Sequence, residues 1–190
     1  LLTLLSQVIG AAALSRMPRA LDSLAAWPVT YGLLMMLRST GFAYQEVVVS
    51  MLRDPGAFSR LRSFAHKLAI VTTTVLLLLV LTPLSDYWFR GVSGLGPELS
   101  HLAKSGLFLG LFVPGMGVLQ NWYQGILVYA HRTRYITESV AFFLVSSSLL
   151  LWLGVGSGRI AGLYVGLIAF SLGGLVQTGW VWWRSRSVVT

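Results

Sequence analysis

The sequence predicts an all-α membrane protein, a polytopic helix bundle of about six transmembrane helices with the first one truncated. Three observations carry this. Charged residues make up 11% of the 190, against about 25% in a soluble domain, while 55% are hydrophobic and mean hydropathy is +0.74. The apolar residues gather into runs, most of them close to the roughly 20 residues that a membrane-crossing helix needs. The runs are unbroken, as in residues 75–81 (VLLLLVL), which argues against the alternating strands of a membrane barrel. Backbone in lipid must satisfy its own hydrogen bonds, so each run is expected to be a helix.

The first run, residues 1–14, is too short to cross alone and reads as a span whose beginning is missing. No basic stretch precedes it, so it is not expected to be a signal peptide. The others cover residues 24–52, 64–84, 102–130, 136–155 and 160–183. The connections, 16–23, 53–63, 85–101, 131–135 and 156–159, are short enough to make neighbouring helices antiparallel. None is long enough for a soluble domain, so residues 1–190 are expected to form a single transmembrane unit.

The net charge is +8, from 14 Lys and Arg against 6 Asp and Glu. On a soluble protein that would point to nucleic acid. Here the basic residues lie mainly between apolar runs, where they meet anionic lipid headgroups, so membrane lipids and not nucleic acid are the expected partners. One side collects Arg53, Arg60, Arg62, Lys67, Arg132, Arg134, Arg184 and Arg186; the other collects Arg16, Arg19, Arg90, Lys104 and Arg159. Eight against five places the 53–63 loop and the C-terminus in the cytoplasm, in a cell (inner or plasma) membrane. Trp180, Trp182 and Trp183 form an interfacial anchor on that side, and Tyr87, Trp88 and Phe89 one on the other.

Enzyme chemistry finds no support. There are no cysteines, which excludes disulfides and thiolate chemistry. His66, His101 and His131 fall near span ends, and no zinc-protease, nucleophile-elbow or P-loop motif occurs. The expectation is a non-enzyme with neither cofactor nor metal. The glycines of 154–159 (GVGSGR) follow a membrane helix and read as a turn.

The candidate site starts from Arg38. A guanidinium at mid-helix depth costs at least about 2.5–3.5 kcal/mol on insertion scales, which is tolerated where it faces water, substrate or a partner. Glu46 is about 80° round the helix and about 12 Å along it, too far for direct pairing without a bend at Gly41. Tyr44 adds polarity nearby. One reading is a water-filled cavity lined by Arg38, with Tyr44 and Glu46 toward the cytoplasmic end. The other has Arg38 snorkelling or pairing with an absent part of the protein, and Glu46 at the interface. Pro28 and Pro114 are hinges or static kinks. Gln120 and Gln124 share a helix face and serve as interhelical glue or as substrate contacts. Gly158, Gly162 and Gly166, and the pair Gly106 and Gly110, read as close-packing stripes.

Pro114, Gln120, Gly125, Leu127, Arg132, Thr133 and Arg134, on a helix that ends in a basic hook, resemble the carboxy-terminal six-helix lobe of the multidrug/oligosaccharidyl-lipid/polysaccharide flippase superfamily, the MATE-like transporters. Leu37-Arg38 makes the progressive ankylosis branch the most similar. The resemblance implies one lobe of a V-shaped pair around a central cavity, working by alternating access. It also implies that the partner is a missing amino-terminal lobe or a second copy. Arg38, as a buried cation whose fork suits carboxylate and phosphate, then implies an anionic metabolite or lipid-linked substrate. The alternative is a non-transporting membrane subunit or anchor.

Overall fold

The glycine- and amide-rich stretch VPGMGVLQNWYQGILVY makes the helix that the rest of the protein surrounds. The structure, a computed structural model, describes residues 2–54 and 56–189. It is all helix, with no strand among the described residues: α1 (Leu2–Leu14), α2 (Ala20–Met51), α3 (Ala57–Leu81), α4 (Leu84–Asp86) continuing into a π-helical turn (Tyr87–Val92), α5 (Pro97–Leu109), α6 (Val113–Tyr129), α7 (Arg134–Ser157) and α8 (Gly162–Val189). α6 packs on α2, α3 and α8, and α7 lies outermost against α8.

Small residues let α6 occupy the centre. A Cβ on Gly115 would fall 2.7 Å from the Ala69 carbonyl of α3, and one on Gly125 would fall 2.7 Å from Cγ1 of Val48 on α2. Only a hydrogen fits there, and the backbones approach accordingly. The same logic holds at Gly106, Gly110, Gly162 and Gly166, where an added Cβ would meet Leu167, Leu34, Met17 and Trp27. Gly158 does not belong to that stripe. It ends α7 at φ 57, ahead of α8, because a left-handed cap suits glycine.

α2, α3, α7 and α8 are long and apolar enough to cross a membrane, and α5 with α6, a pair bent by 43°, counts as a fifth span if the two cross together and as a re-entrant loop if they do not. α1 is shorter. The outward faces fit lipid and not water: Ile70, Val71 and Leu78 on α3 and Val145, Trp152 and Leu153 on α7 are more than half exposed. The hydroxyls of Thr30, Thr72, Ser139, Ser147 and Thr178 donate to carbonyls three or four residues back, which satisfies them without water. The chain is an integral membrane protein.

Three boundaries differ from the sequence expectation. Residues 85–101 are largely helical, because Pro97 is favoured at the first position of α5 and Glu98 suits its first turn. α3 begins at Ala57, so Arg60 and Arg62 lie on the helix and not in the 53–63 loop; hydropathy does not register a polar first turn. The run 102–130 is two helices with a break at 110–112. The proposed anchor at 87–89 also divides: Tyr87 is exposed, but Phe89 is fully buried in the core.

Two apolar clusters hold the bundle. The larger joins Leu14, Trp27, Leu34, Leu107, Leu163 and Phe170, with Trp27 stacked on Tyr31 at 5.1 Å and both edge-on to Phe170. The smaller joins Tyr44, Val48, Leu61, Val118, Trp122 and Ile126 toward the end that holds the last turns of α2, α6 and α8.

Candidate functional site

Arg38 stands in the middle of α2, and its side chain turns into the bundle. Its stem lies across Gly117 of α6, where a Cβ would come 2.6 Å from Arg38 Cγ. The Nη2 group donates to Gln120 Oε1 at 2.9 Å. Gly117 and Gln120 are three apart, so one face of α6 supplies both the space and the acceptor. Arg38 Nε is enclosed without a hydrogen-bond partner. A small hollow of about 20 Å³ adjoins it, lined among others by Tyr31, Met35, Met116, Phe170 and Ser171. That space suits one water molecule, and the orphan N–H is the kind of donor such a water would satisfy.

The break in the fifth span lies on this level. Ser171 of α8, which lines the hollow, donates its hydroxyl to the Leu109 carbonyl at 3.2 Å, an acceptor freed by the end of α5. Pro114 is the second residue of α6 and is buried. The sequence placed it inside a helix; at a helix start its missing N–H removes no hydrogen bond. Pro28, by contrast, lies inside an uninterrupted α2, on the exposed side.

The other expected members of the site divide. Gln124 is buried one turn beyond Gln120 on α6. Tyr44 is committed elsewhere: its hydroxyl donates to the Leu61 carbonyl at 2.6 Å, and its ring lies against Phe64 and Trp122. It ties α2 to α3 and does not line the hollow. Glu46 is exposed, on a surface groove with Gln45, Ser50 and Arg53. The large cavity expected from Arg38 to Glu46 is therefore replaced by a water-sized one at Arg38 and Gln120. Gly117, Tyr31 and Ser171 were not singled out from sequence; the spacing of Gly117 to Gln120 is a local signal for Gly117, and no local pattern marks Tyr31 or Ser171.

Outside the spans, charge is arranged differently at the two ends. Where α2, α5 and α8 begin, Arg19 pairs with Asp22 at 2.8 Å and Glu98 at 2.6 Å, and Lys104 pairs with Asp86 at 2.9 Å. The hydrogen bond from Lys104 holds the Asp86 carboxyl below its ordinary value, and that from Arg19 to Asp22 raises the Arg19 guanidinium. At the other end, the Arg184 guanidinium lies 4.5 to 4.8 Å from the ring centroids of Tyr135, Trp180 and Trp183. No group of three or more potential ligands for a metal ion occurs among the described residues.

Comparison with protein-family models, curated proteins and solved structures finds no match to this chain.

Proposed function

We propose that the protein is a secondary transporter or flippase element that moves an anionic metabolite or lipid-linked substrate across a cell membrane by alternating access, as its resemblance to a MATE-like lobe implies. The supporting observation is the Arg38 guanidinium, held inside the bundle by one amide, with Nε unpartnered and next to a broken span. Intramembrane cations of this kind mark substrate and ion pathways, and broken helices face cavities in transporters. In this reading the enclosed Arg38 belongs to a closed state, and movement of α6 about 110–112 widens the hollow so that an anion replaces Gln120 on the guanidinium. Gln120 and Gln124 then line the path, with the missing amino-terminal lobe or a second copy completing it. The basic C-terminal end faces the cytoplasm by the excess of Lys and Arg.

The test is movement of radiolabelled phosphate, radiolabelled citrate and fluorescent phosphatidylglycerol in vesicles that contain the full chain. At least one should move, and Arg38→Ala, inserted at wild-type level, should reduce it to that of empty vesicles. Undiminished movement in Arg38→Ala overturns the proposal. A second reading, a non-transporting membrane subunit, is favoured by the size of the hollow, about 20 Å³. It predicts that none of the three probes moves.

A further inference from the structure

The wall around Arg38 limits what the hollow can hold once it opens. Arg38 is the one cationic residue in that wall, and no Asp or Glu lines it. The guanidinium donates to the neutral Gln120 amide, so a ligand anion meets a positive charge that no carboxylate of the lining offsets. Tyr31 and Ser171 bring hydroxyls. Leu34, Met35, Val113, Met116, Leu167 and Phe170 make most of the rest apolar. A single cation in an apolar wall sorts anions by charge. One negative charge on the ligand is matched. A second or third has to leave water with no partner, which is strongly disfavoured. Citrate and inorganic phosphate, which carry more than one charge near neutral pH, fit such a wall badly.

The same wall favours an alkyl chain, because each methylene that leaves water strengthens binding by about fourfold. Met116 and Gly174 mark the place for it. A Cβ on Gly174 of α8 would fall 2.7 Å from Met116 Cε, so the tip of the methionine occupies the space over that glycine. An unbranched thioether chain changes rotamer readily and adapts to what it packs against. The next residue of α6, Gly117, carries the Arg38 stem. The cation and the movable tip therefore lie side by side on one helix. Beyond them Phe143 of α7, edge-on to Phe170 at 5.5 Å, continues the apolar lining.

We propose that the anion taken at Arg38 carries a single negative charge on an alkyl chain. The charged group replaces Gln120 on the guanidinium, and the chain replaces the Met116 tip over Gly174. This rests on the reading that the hollow opens in a transport cycle, and it narrows that reading: a tailed monoanion is a substrate, and a compact multivalent anion is not. Carboxylate and phosphodiester groups share the required chemistry, since a guanidinium fork matches the oxygens of either.

The experiment places the full chain, as Met35→Cys, in phosphatidylcholine vesicles and follows its reaction with a membrane-impermeant thiol reagent. Octanoate and dioctanoyl phosphatidylglycerol are the tailed monoanions, citrate is the multivalent anion, and octanamide is the tail without charge. At least one tailed monoanion should slow the reaction at concentrations where citrate and octanamide do not. Protection by octanoate alone assigns a carboxylate, by phosphatidylglycerol alone a phosphodiester, and by both the shared charge; each supports the proposal. Two carbons fewer in the chain should weaken protection about tenfold. Wild-type protein, free of any folding defect of the variant, should bind radiolabelled octanoate or dioctanoyl phosphatidylglycerol, and citrate should not displace the label. Gly174→Val, which fills the place of the chain and displaces only the Met116 tip, should bind the label several-fold more weakly. Protection or displacement by citrate equal to that by a tailed anion overturns the proposal, and so does protection by octanamide equal to that by octanoate. Reaction that no ligand slows also overturns it. All three leave the opening of the hollow intact. A Met35→Cys that reacts only after denaturation removes the opening itself, and the transport reading falls with it.

Discussion

Arg38 and Arg184 are the same side chain placed in two parts of one membrane protein, and they are accommodated by different means. Arg184 sits near the end of α8, where three aromatic faces surround its guanidinium and Glu138 lies 3.9 Å away, while its Nε, like that of Arg38, is enclosed without a hydrogen-bond partner. Arg38 sits in mid-span with one neutral amide as acceptor and an enclosed Nε without a partner. Near the headgroups a cation combines ring faces, a carboxylate and water, each modest in strength. In mid-span no carboxylate pairs with Arg38 among the described residues, and one amide beside a water-sized hollow does not replace it. The functional reading rests on the mid-span position of Arg38 and its lack of a carboxylate partner, while Arg184 is read as a clamp between α7 and α8.

The largest separation between the two arginines is expected in activity. Arg38→Ala should abolish movement of whichever anionic probe wild type carries, and Arg184→Ala should leave it within a fewfold, both measured in vesicles at matched protein content. Stability separates them next. Gln120→Leu leaves the Arg38 charge enclosed with no acceptor and should destabilise the protein by about 2 kcal/mol, the scale of a hydrogen bond to a charged group. Adding Arg38→Leu to Gln120→Leu should restore most of that loss, because an apolar pair of similar volume replaces a buried polar one. Thermal unfolding in detergent measures both. A double variant no more stable than the single would mean that Gln120 acts through packing alone.

Arg184→Ala should cost about 1 kcal/mol by loss of its ring contacts, and that loss should vary little with salt. The smallest effect is expected at the other end. Asp86→Asn should lower the melting temperature slightly near neutral pH, and less at high salt, since its pair with Lys104 is partly exposed. The folded Asp86 pKa is depressed. Its stabilisation is therefore full above the unfolded carboxyl value of about 4 and is lost as pH falls through the lower folded value. The melting difference between wild type and Asp86→Asn should close over that acid range; a difference that stays constant on acidification would show that the ion pair is not its source.

The sequence made the class and the spans legible because lipid imposes a simple rule: a long apolar run must be a helix. It also marked Arg38, since a lone cation within residues 24–52 is conspicuous. The rest failed for identifiable reasons. The contact of Arg38 with Gln120 crosses 82 residues, and no local pattern encodes it. Tyr44 and Glu46 seemed to extend the site because they are near Arg38 in sequence, but the turn of the helix carries Tyr44 toward Leu61 and Glu46 to the outside. The break at 110–112 was visible only as Gly110 followed by Pro114, which hydropathy averages away. The helix at 97–109 opens with polar residues, and its first part, 97–101, was read as a loop for that reason.

The central claim is that the space beside Arg38 opens to water during the protein's working cycle. The chain has no cysteine, so a single Met35→Cys variant reports on that space alone, with Ser187→Cys as an exposed reference. In native membranes, a membrane-impermeant thiol reagent should modify Met35→Cys more slowly than Ser187→Cys but to completion, and phosphatidylglycerol or citrate should slow it further. Modification of Ser187→Cys with none at Met35→Cys until the protein is denatured would contradict the claim, leaving Arg38 as a sealed structural contact.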